Sequence, residues 1–432
     1  HSTGSGDMQA AGGTFDFTDV DLTDVHTTGA TLTNAVWTGG STIPAATQAA
    51  IANALSTTVT DEATGDGAGQ IGWTFGLADE HVDFLAKGEK LTLTYTVTLK
   101  DDSGAANDEA LTRTVTIVLT GTNDTPVIEA GTASLTELYD HTLDFSAHSV
   151  SGLLSFTDVD LNDVGHTASV ISVARSGETD GLPGGFLGNL LVLSYLHIDG
   201  VTKAAGSPDG QIDYTFSASD TQFDYLAKGQ TVTLTYTVRL NDGDGGVTTQ
   251  TVAVTVTGTN DRPVFLAGDA RVGLENVDTT GSSSPETFNG TLLFGDADRD
   301  DVGHTASVTG FEASGTTAGL NEADVAGALH IDTVTKAANS VGGTVAWSFS
   351  AQDQAFDYLG RGESVTLAYR VTLDDGEGET NSTDTTTIYV TIVGTNDRPV
   401  ITTGDQTRAL TEYAHSTGSG DMQAAGGTFD FT

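Results

Sequence analysis

The sequence predicts an all-β chain built as antiparallel two-sheet sandwich modules in a tandem, elongated array. Three observations lead there. The segments GTNDTPVI, GTNDRPVF and GTNDRPVI begin at Gly121, Gly258 and Gly394, and recurrence at a near-constant interval marks repeated modules. The runs KLTLTYTVTL (residues 90–99), TVTLTYTVRL (231–240) and SVTLAYRVTL (364–373) alternate with period two, setting Leu, Tyr and Val on one face as half-buried strands require. Thr, Gly, Asp and Val are all abundant while Lys, Glu and leucine-rich helical stretches are scarce, which favours strands and turns.

Each repeat carries its elements in the same order. An acidic turn closed by histidine comes early: FTDVDLTDVH from Phe17, FTDVDLNDVGH from Phe156 and FGDADRDDVGH from Phe294. The first repeat then has IPAATQAAIANAL (residues 43–55), dense in alanine and poor in β-branched residues, which predicts a helix as a variable insertion. The second and third repeats carry GGFLGNLLVLSYL and LNEADVAGAL in its place. VDFL or FDYL follows, with Phe84 and Leu85, Phe223 and Leu226, and Phe356 and Leu359 as core anchors. The alternating strand leads to KDDSGAAND, NDGDGG or DDGEGE, and a second alternating run such as QTVAVTVTGT from Gln250 completes a hairpin that ends at the TND segment. About seven such strands per repeat describe a sandwich with its own core. The expected modules are residues 1–124 (the first strand lying before them), 125–261 and 262–397, with 398–432 opening another. Residues 415–432 repeat residues 1–18 letter for letter. This reads as recent duplication of a three-module block, or as a copy added to close a truncated module.

Composition limits function. There are 59 acidic residues against 16 basic ones, a formal charge of -43, so nucleic acid and anionic membrane are poor partners and cations are natural ones. Neither an apolar run of membrane-spanning length nor a Sec-type leader is visible. Without cysteine there are no disulfides and no thiol chemistry, so an extracellular life needs other reinforcement, for which metal ions are a candidate. No G-x-S-x-G, H-E-x-x-H or P-loop occurs, and no enzyme is expected.

The acids are clustered in a way that suits calcium, a hard cation taking six to eight oxygens from carboxylates, carbonyls and Asn side chains. Asp19, Asp21 and Asp24, Asp158, Asp160 and Asp163, and Asp296, Asp298 and Asp301 each crowd one short turn. The linker pairs Asn123–Asp124, Asn260–Asp261 and Asn396–Asp397 each stand two residues before a proline that stiffens the connector. Ordinary β-turn chemistry or a salt-adapted surface accounts for the same residue types. His26, His166 and His304 are one per repeat, too few nitrogen ligands for a transition-metal site, and are read as structural. Lys87 and Lys228 align, but Arg361 in the third repeat cannot form a Lys–Asn crosslink.

With GTNDxPV between modules, F-x-D-x-D early in each and FDYL-x-x-G before VTLTYTVxLxDG, nearly the whole chain resembles the VCBS-repeat family and, behind it, the cadherin-like modules of giant secreted RTX-type bacterial adhesins. The resemblance implies an Ig/cadherin-like sandwich serving as a calcium-stiffened extender in a protein of the Gram-negative cell surface or exterior, exported by a type I route. Its partners would be calcium ions, neighbouring modules of the same chain and like chains in a fibre. It further implies ligands on both sides of each linker. The first junction would use Asp83, Asn123, Asp124, Asp158, Asp160 and Asp242. The second would use Glu137, Asp224, Asn260, Asp261, Asp296, Asp298 and Asp374, and the third Glu275, Asp357, Asn396 and Asp397. FDYL lacks the cadherin Asp-Arg-Glu triplet, which leaves the ions per junction open. A self-assembling filament or surface layer is the alternative architecture. A glycan-binding module is weaker, because Trp37, Trp73 and Trp347 are few and two lie in core-like strands.

Overall fold

The computed structural model describes residues 7–40, 42–103, 110–138, 145–276, 281–412, 414, 420 and 422–431. Residues 104–109 of the KDDSGAAND loop, and residues 1–6, 415–419, 421 and 432 of the two duplicated segments, lie outside the described residues. About 51% of the chain is strand and 7% helix, so the all-β expectation holds. The described residues divide into two compact units. The first takes residues up to 138, 145–223 and 229–258, and the second takes 224–228 and those from 259 onward.

In the first unit, the first repeat forms β1 (Met8–Thr18), β2 (Thr27–Trp37), β3 (Leu55–Asp61), β4 (Ala68–Ala78), β5 (Lys90–Lys100) and β6 (Leu111–Thr120). They make two three-stranded antiparallel sheets, ordered β1-β4-β3 and β2-β5-β6. The second repeat forms β7 (Val127–Ile128), β8 (Gly131–Thr136), β9 (Ala147–Thr157), β10 (Thr167–Gly177), β11 (Leu196–Lys203), β12 (Asp209–Ser219), β13 (Thr231–Asn241) and β14 (Val247–Thr257). Its sheets are β11-β12-β9-β7 and β10-β13-β14-β8, antiparallel except that β8 runs parallel to β14.

The second unit repeats the plan with β15 (Val264–Phe265), β16 (Asp269–Leu274), β17 (Pro285–Gly295), β18 (Thr305–Gly315), β19 (Leu329–Lys336), β20 (Gly342–Gln352), β21 (Ser364–Asp374) and β22 (Thr383–Val393). Its sheets are β15-β17-β20-β19 and β16-β22-β21-β18, with β16 parallel to β22.

Period-two patterning does what it predicts. Val232, Leu234, Tyr236, Val238 and Leu240 on β13, and Val365, Leu367, Tyr369, Val371 and Leu373 on β21, are fully buried. The core of the first repeat is built from Trp37, Ile51, Phe75, Phe84, Leu93 and Tyr95. The core of the second unit gathers around Trp347, Phe349, Phe356 and Tyr369. The expected anchors Phe84, Leu85, Phe223, Leu226, Phe356 and Leu359 are all buried.

One expectation needs correction. The helix is not confined to the first repeat: α1 (Ala45–Ile51), α2 (Gly185–Leu193) and α3 (Glu322–Val325) occupy the same place in all three. The alanine signal that marked α1 is missing from the others, where tertiary contact overrides weak propensity. That contact is a tyrosine. The phenol Oη of Tyr95 donates to the Ile51 carbonyl at 2.6 Å, that of Tyr236 to Val192 at 2.9 Å, and that of Tyr369 to Val325 at 2.6 Å.

Candidate metal centres

The acidic turn is built the same way three times. Asp158 Oδ1 accepts the Asp160 N–H at 3.0 Å, an Asx turn. His166 Nε2 meets Asp158 Oδ2 at 2.8 Å. Both oxygens of Asp158 are therefore engaged, and the buried histidine braces the turn through Nε2 while its Nδ1 has no hydrogen-bond partner. Asp296 repeats the pattern with Asp298 N–H at 3.0 Å and His304 Nε2 at 2.6 Å. Asp19 does the same with Asp21 N–H at 2.9 Å and His26 Nε2 at 3.0 Å.

The second Asp of the turn clamps the linker. Asp124 N–H donates to Asp160 Oδ2 at 2.8 Å, and Asp261 N–H to Asp298 Oδ2 at 2.9 Å. The linker Asn is held from the hairpin loop: Asn123 Nδ2 donates to Asp242 Oδ2 at 2.9 Å, while Asp242 Oδ1 gathers the N–H groups of Asp244, Gly245 and Gly246. Asn260 Nδ2 donates to Asp375 Oδ2 at 3.1 Å. The residue facing Asn260 is thus Asp375 and not Asp374, whose Oδ1 accepts the Gly376 N–H at the turn. Aligning NDGDGG with DDGEGE letter by letter reveals the offset. Asn381, whose Nδ2 donates to the Asn260 carbonyl, was not signalled by any motif.

These clamps leave specific oxygens over. Asn123 Oδ1, Asp160 Oδ1 and Asp163 Oδ2 in the first unit, and Asn260 Oδ1, Asp298 Oδ1 and Asp301 Oδ2 in the second, are buried acceptors with no hydrogen-bond partner. A buried polar atom in that state costs about 1–3 kcal/mol, and six at matching positions are not accidental. Below the first linker, Gln9, Asp79, Asp83, Gly121, Thr122 and Asp124 line a cleft of about 250 Å³.

The second unit holds a further cluster. Glu275, Asp357 and Asp397 each offer a carboxylate oxygen within 4.8 Å of the others. Two full charges at that spacing repel by about 3.5 kcal/mol at an effective dielectric of about 20. Glu275 Oε2 accepts the Thr395 N–H at 3.0 Å, while Glu275 Oε1 and Asp397 Oδ1 are buried without a partner. Asn396 is exposed beside them, its Nδ2 donating to the Asp397 carbonyl at 3.2 Å. The neighbouring Asp353, fully buried and accepting the Asn276 N–H, was not expected. Asp224 is buried in the second unit with an oxygen within 4.8 Å of one on Asp261. Glu137 is buried in the first unit, its N–H donating to the Thr257 carbonyl at 2.9 Å just as Glu275 donates to Val393 at 3.0 Å.

Protonation follows from burial. Loss of water pushes Asp160 up to about 7, against the pull of the Asp124 N–H and with help from Asp158, Asp124 and Asp163. Asp298 rises to about 9 and Asp163 to about 6, again with burial as the main cause. Glu275 reaches about 7, burial first and then Asp397, Asp353 and Asp357. A divalent cation would relieve both the desolvation and the repulsion. The unpartnered side-chain oxygens fit one: they are carboxylate or amide, the kind that hard calcium selects, and a single nitrogen of His166 or His304 lies within 4.8 Å of the Asp163 or Asp301 oxygen, too few for a zinc site. Asp19 and Asp24 are less enclosed and Asp21 is exposed. With Asp101, Asp19 and Asp24 form an oxygen cluster, but a half-exposed one.

The first and second repeats also touch directly. Leu161, in the acidic turn, packs on the core of the first repeat and donates its N–H to the Phe84 carbonyl at 3.3 Å. Asn162 Nδ2 donates to Glu89 Oε1 at 3.0 Å and to the Gly39 carbonyl. Lys87 Nζ donates to the Asp244 carbonyl at 2.9 Å.

No protein-family model matches the chain, and no curated protein does. Solved structures that align with it include tandem cadherin domains. Human CDH23 EC21-23 aligns at 10% identity and TM-score 0.37, covering 84% of this chain and 88% of that one. Mouse cadherin-23 EC22-24 aligns at 15% identity and TM-score 0.31, covering 87% and 89%. Protocadherin gamma B7 extracellular cadherin domains 1-4 align at 14% identity and TM-score 0.32, covering 82% and 71%. The likeness is of fold alone. At these scores nothing about binding or assembly carries across, and the all-β architecture rests on the strand pairing itself.

Proposed function

We propose that the chain is a structural extender, the shaft of a repetitive extracellular adhesin or surface fibre, in which calcium bound at the module junctions stiffens the linkers. The modules would be residues 1–124, 125–261 and 262–397, with 398–432 opening the next. The observation that carries the reading is the trio of buried, unpartnered oxygens on Asn123, Asp160 and Asp163, which belong to the linker and to the acidic turn that clamps it. Asn123, Asp124, Asp160 and Asp163 would hold the ion, with Asp79 and Asp83 lining the cleft beneath. Asn260, Asp261, Asp298 and Asp301 would do so in the second unit, and Glu275, Asp353, Asp357 and Asp397 at its far linker. The bound ion supplies positive charge that links the linker to the acidic turn. The protein's residues supply the clamp, the histidine brace and the exclusion of water.

Among the described residues no helix is long and apolar enough to cross a membrane. The charge of -43 makes cations the natural counterpart, and the VCBS-like motifs support an exported, bacterial-surface setting. Extracellular calcium sites have dissociation constants of about 0.1–1 mM. Calcium at a hundredfold excess over such a constant stabilises by about 2.7 kcal/mol per site.

Small-angle scattering of the full chain, with calcium and with excess chelator, tests the reading. Loss of rigidity on chelation, reversed by calcium, is the expected result. An equally stiff chain in both conditions would mean that contacts such as Leu161 on the first core hold the junction without an ion.

A further inference from the structure

β11 and β19 each end on a lysine, in the matching segments HIDGVTKAAG and HIDTVTKAAN. Neither ammonium reaches out to solvent. Lys203 Nζ donates to the carbonyls of Asp160 at 2.7 Å, Asp163 at 2.9 Å and Leu161 at 3.3 Å. Lys336 Nζ donates to those of Asp298 at 2.6 Å, Asp301 at 2.6 Å and Arg299 at 3.2 Å. An ammonium has three donors, and three carbonyls of one acidic turn take them. The turn that follows each lysine brings a left-handed residue to the same place, Gly206 at φ 82° and Asn339 at φ 61°. In the second repeat, Gly206 N–H closes onto the Leu161 carbonyl at 2.8 Å.

Two of the three residues whose carbonyls hold each lysine, Asp160 and Asp163 or Asp298 and Asp301, also carry unpartnered side-chain oxygens. Three carbonyl dipoles converging on one point repel unless a cation sits among them. The first repeat makes the contrast, since Glu62 stands where the lysine would be and its Oε2 takes the His26 N–H at 3.2 Å. We propose that Lys203 and Lys336 are positioning residues for the junction metal sites: resident cations that lock the acidic-turn backbone so that Asp160 and Asp163, or Asp298 and Asp301, present their free oxygens to the ion. The proposal rests on the calcium reading above and goes beyond it, because it predicts a sign that simple electrostatics reverses. A cation placed beside a calcium site should weaken binding, and removing it should strengthen binding. A positioning role requires the opposite.

The test is calorimetric titration of the full chain with calcium chloride at fixed ionic strength, comparing wild type with Lys203→Met plus Lys336→Met. Loss of an outer-shell support of this kind weakens metal affinity about 10- to 100-fold, and that loss at two sites is expected. Because the chain has no cysteine, Lys336→Cys can be alkylated at one thiol by 2-bromoethylamine, which rebuilds a lysine-like ammonium. Binding should be weak before alkylation and return to wild type after it, an outcome that general damage to the fold would not give. Unchanged or tighter calcium binding by the methionine variant overturns the proposal and leaves the calcium reading standing. A wild-type chain that takes up no calcium at 10 mM or so, well above the usual extracellular range, removes both.

Discussion

Replacing Asp160 by Asn separates what the acidic turn does without calcium from what it does with it. In the chelated protein the ionised Asp160 carboxylate is a burden, because its pKa is raised from 3.8 to about 7. A pKa raised on folding favours the folded state below pH 3.8, and this contribution is lost as pH climbs through 7. At about 1.4 kcal/mol per pKa unit, the charge destabilises the calcium-free fold by about 4 kcal/mol above pH 7. Asn removes the charge and keeps an oxygen for the Asp124 N–H. The raised pKa already includes the pull of that bond on the ionised form, so nothing further is subtracted for its becoming neutral. Asp160→Asn should therefore stabilise the calcium-free second repeat by about 4 kcal/mol at pH 8 and by almost nothing near pH 4. The same change removes an anionic ligand, so the calcium-dependent rise in unfolding temperature should shrink. Scanning calorimetry at both pH values, in chelator and in millimolar calcium, reads all four quantities. A variant less stable than wild type in chelator at pH 8, or one with an undiminished calcium response, would refute the reasoning.

Further outcomes follow from the same geometry. Asp298, held protonated up to about pH 9 by burial, must lose its proton to bind calcium, so binding at pH 7.5 should release about one proton at that site; titrations in buffers of different ionisation enthalpy measure it, and no release counts against Asp298 as a ligand. His304→Phe leaves buried Asp296 Oδ2 without its donor and should destabilise the third repeat by about 1–3 kcal/mol, seen as earlier exposure of Trp347 in a denaturant series followed by its fluorescence. Tyr369→Phe removes the bond to the Val325 carbonyl and should cost about 1 kcal/mol while calcium affinity stays as in wild type.

The fold was legible because its signals are local. Alternation in TVTLTYTVRL specifies a buried face with no knowledge of what packs on it, and recurrence of GTND sets the period. What lay hidden depends on contacts distant in sequence. Tyr236 and Val192 are 44 residues apart, so nothing in the α2 segment itself announces a helix. The site shows the same division. Acid clustering pointed to the turn, yet could not tell a carboxylate spent on an Asx turn and a histidine, as Asp158 is, from one with a free oxygen, as Asp160 is. The one-residue offset between Asp374 and Asp375 arises because both are acidic, and it takes the letter-by-letter match of the loops, in which Asp242 pairs with Asp375, to tell them apart. The lysines were missed because a basic residue is not sought at a cation site, although TKAA occurs in both repeats that use it.

The tyrosine tie has a consequence for how such an array can diversify. Each phenol recognises a main-chain oxygen, which every amino acid supplies, so the tied segment is free in sequence and even in length: seven residues in α1, nine in α2 and four in α3. Recombination between unlike repeats can therefore trade these inserts as cassettes without breaking their anchorage. This is the part of each module where new surface can be tried while the rest of the repeat stays unchanged.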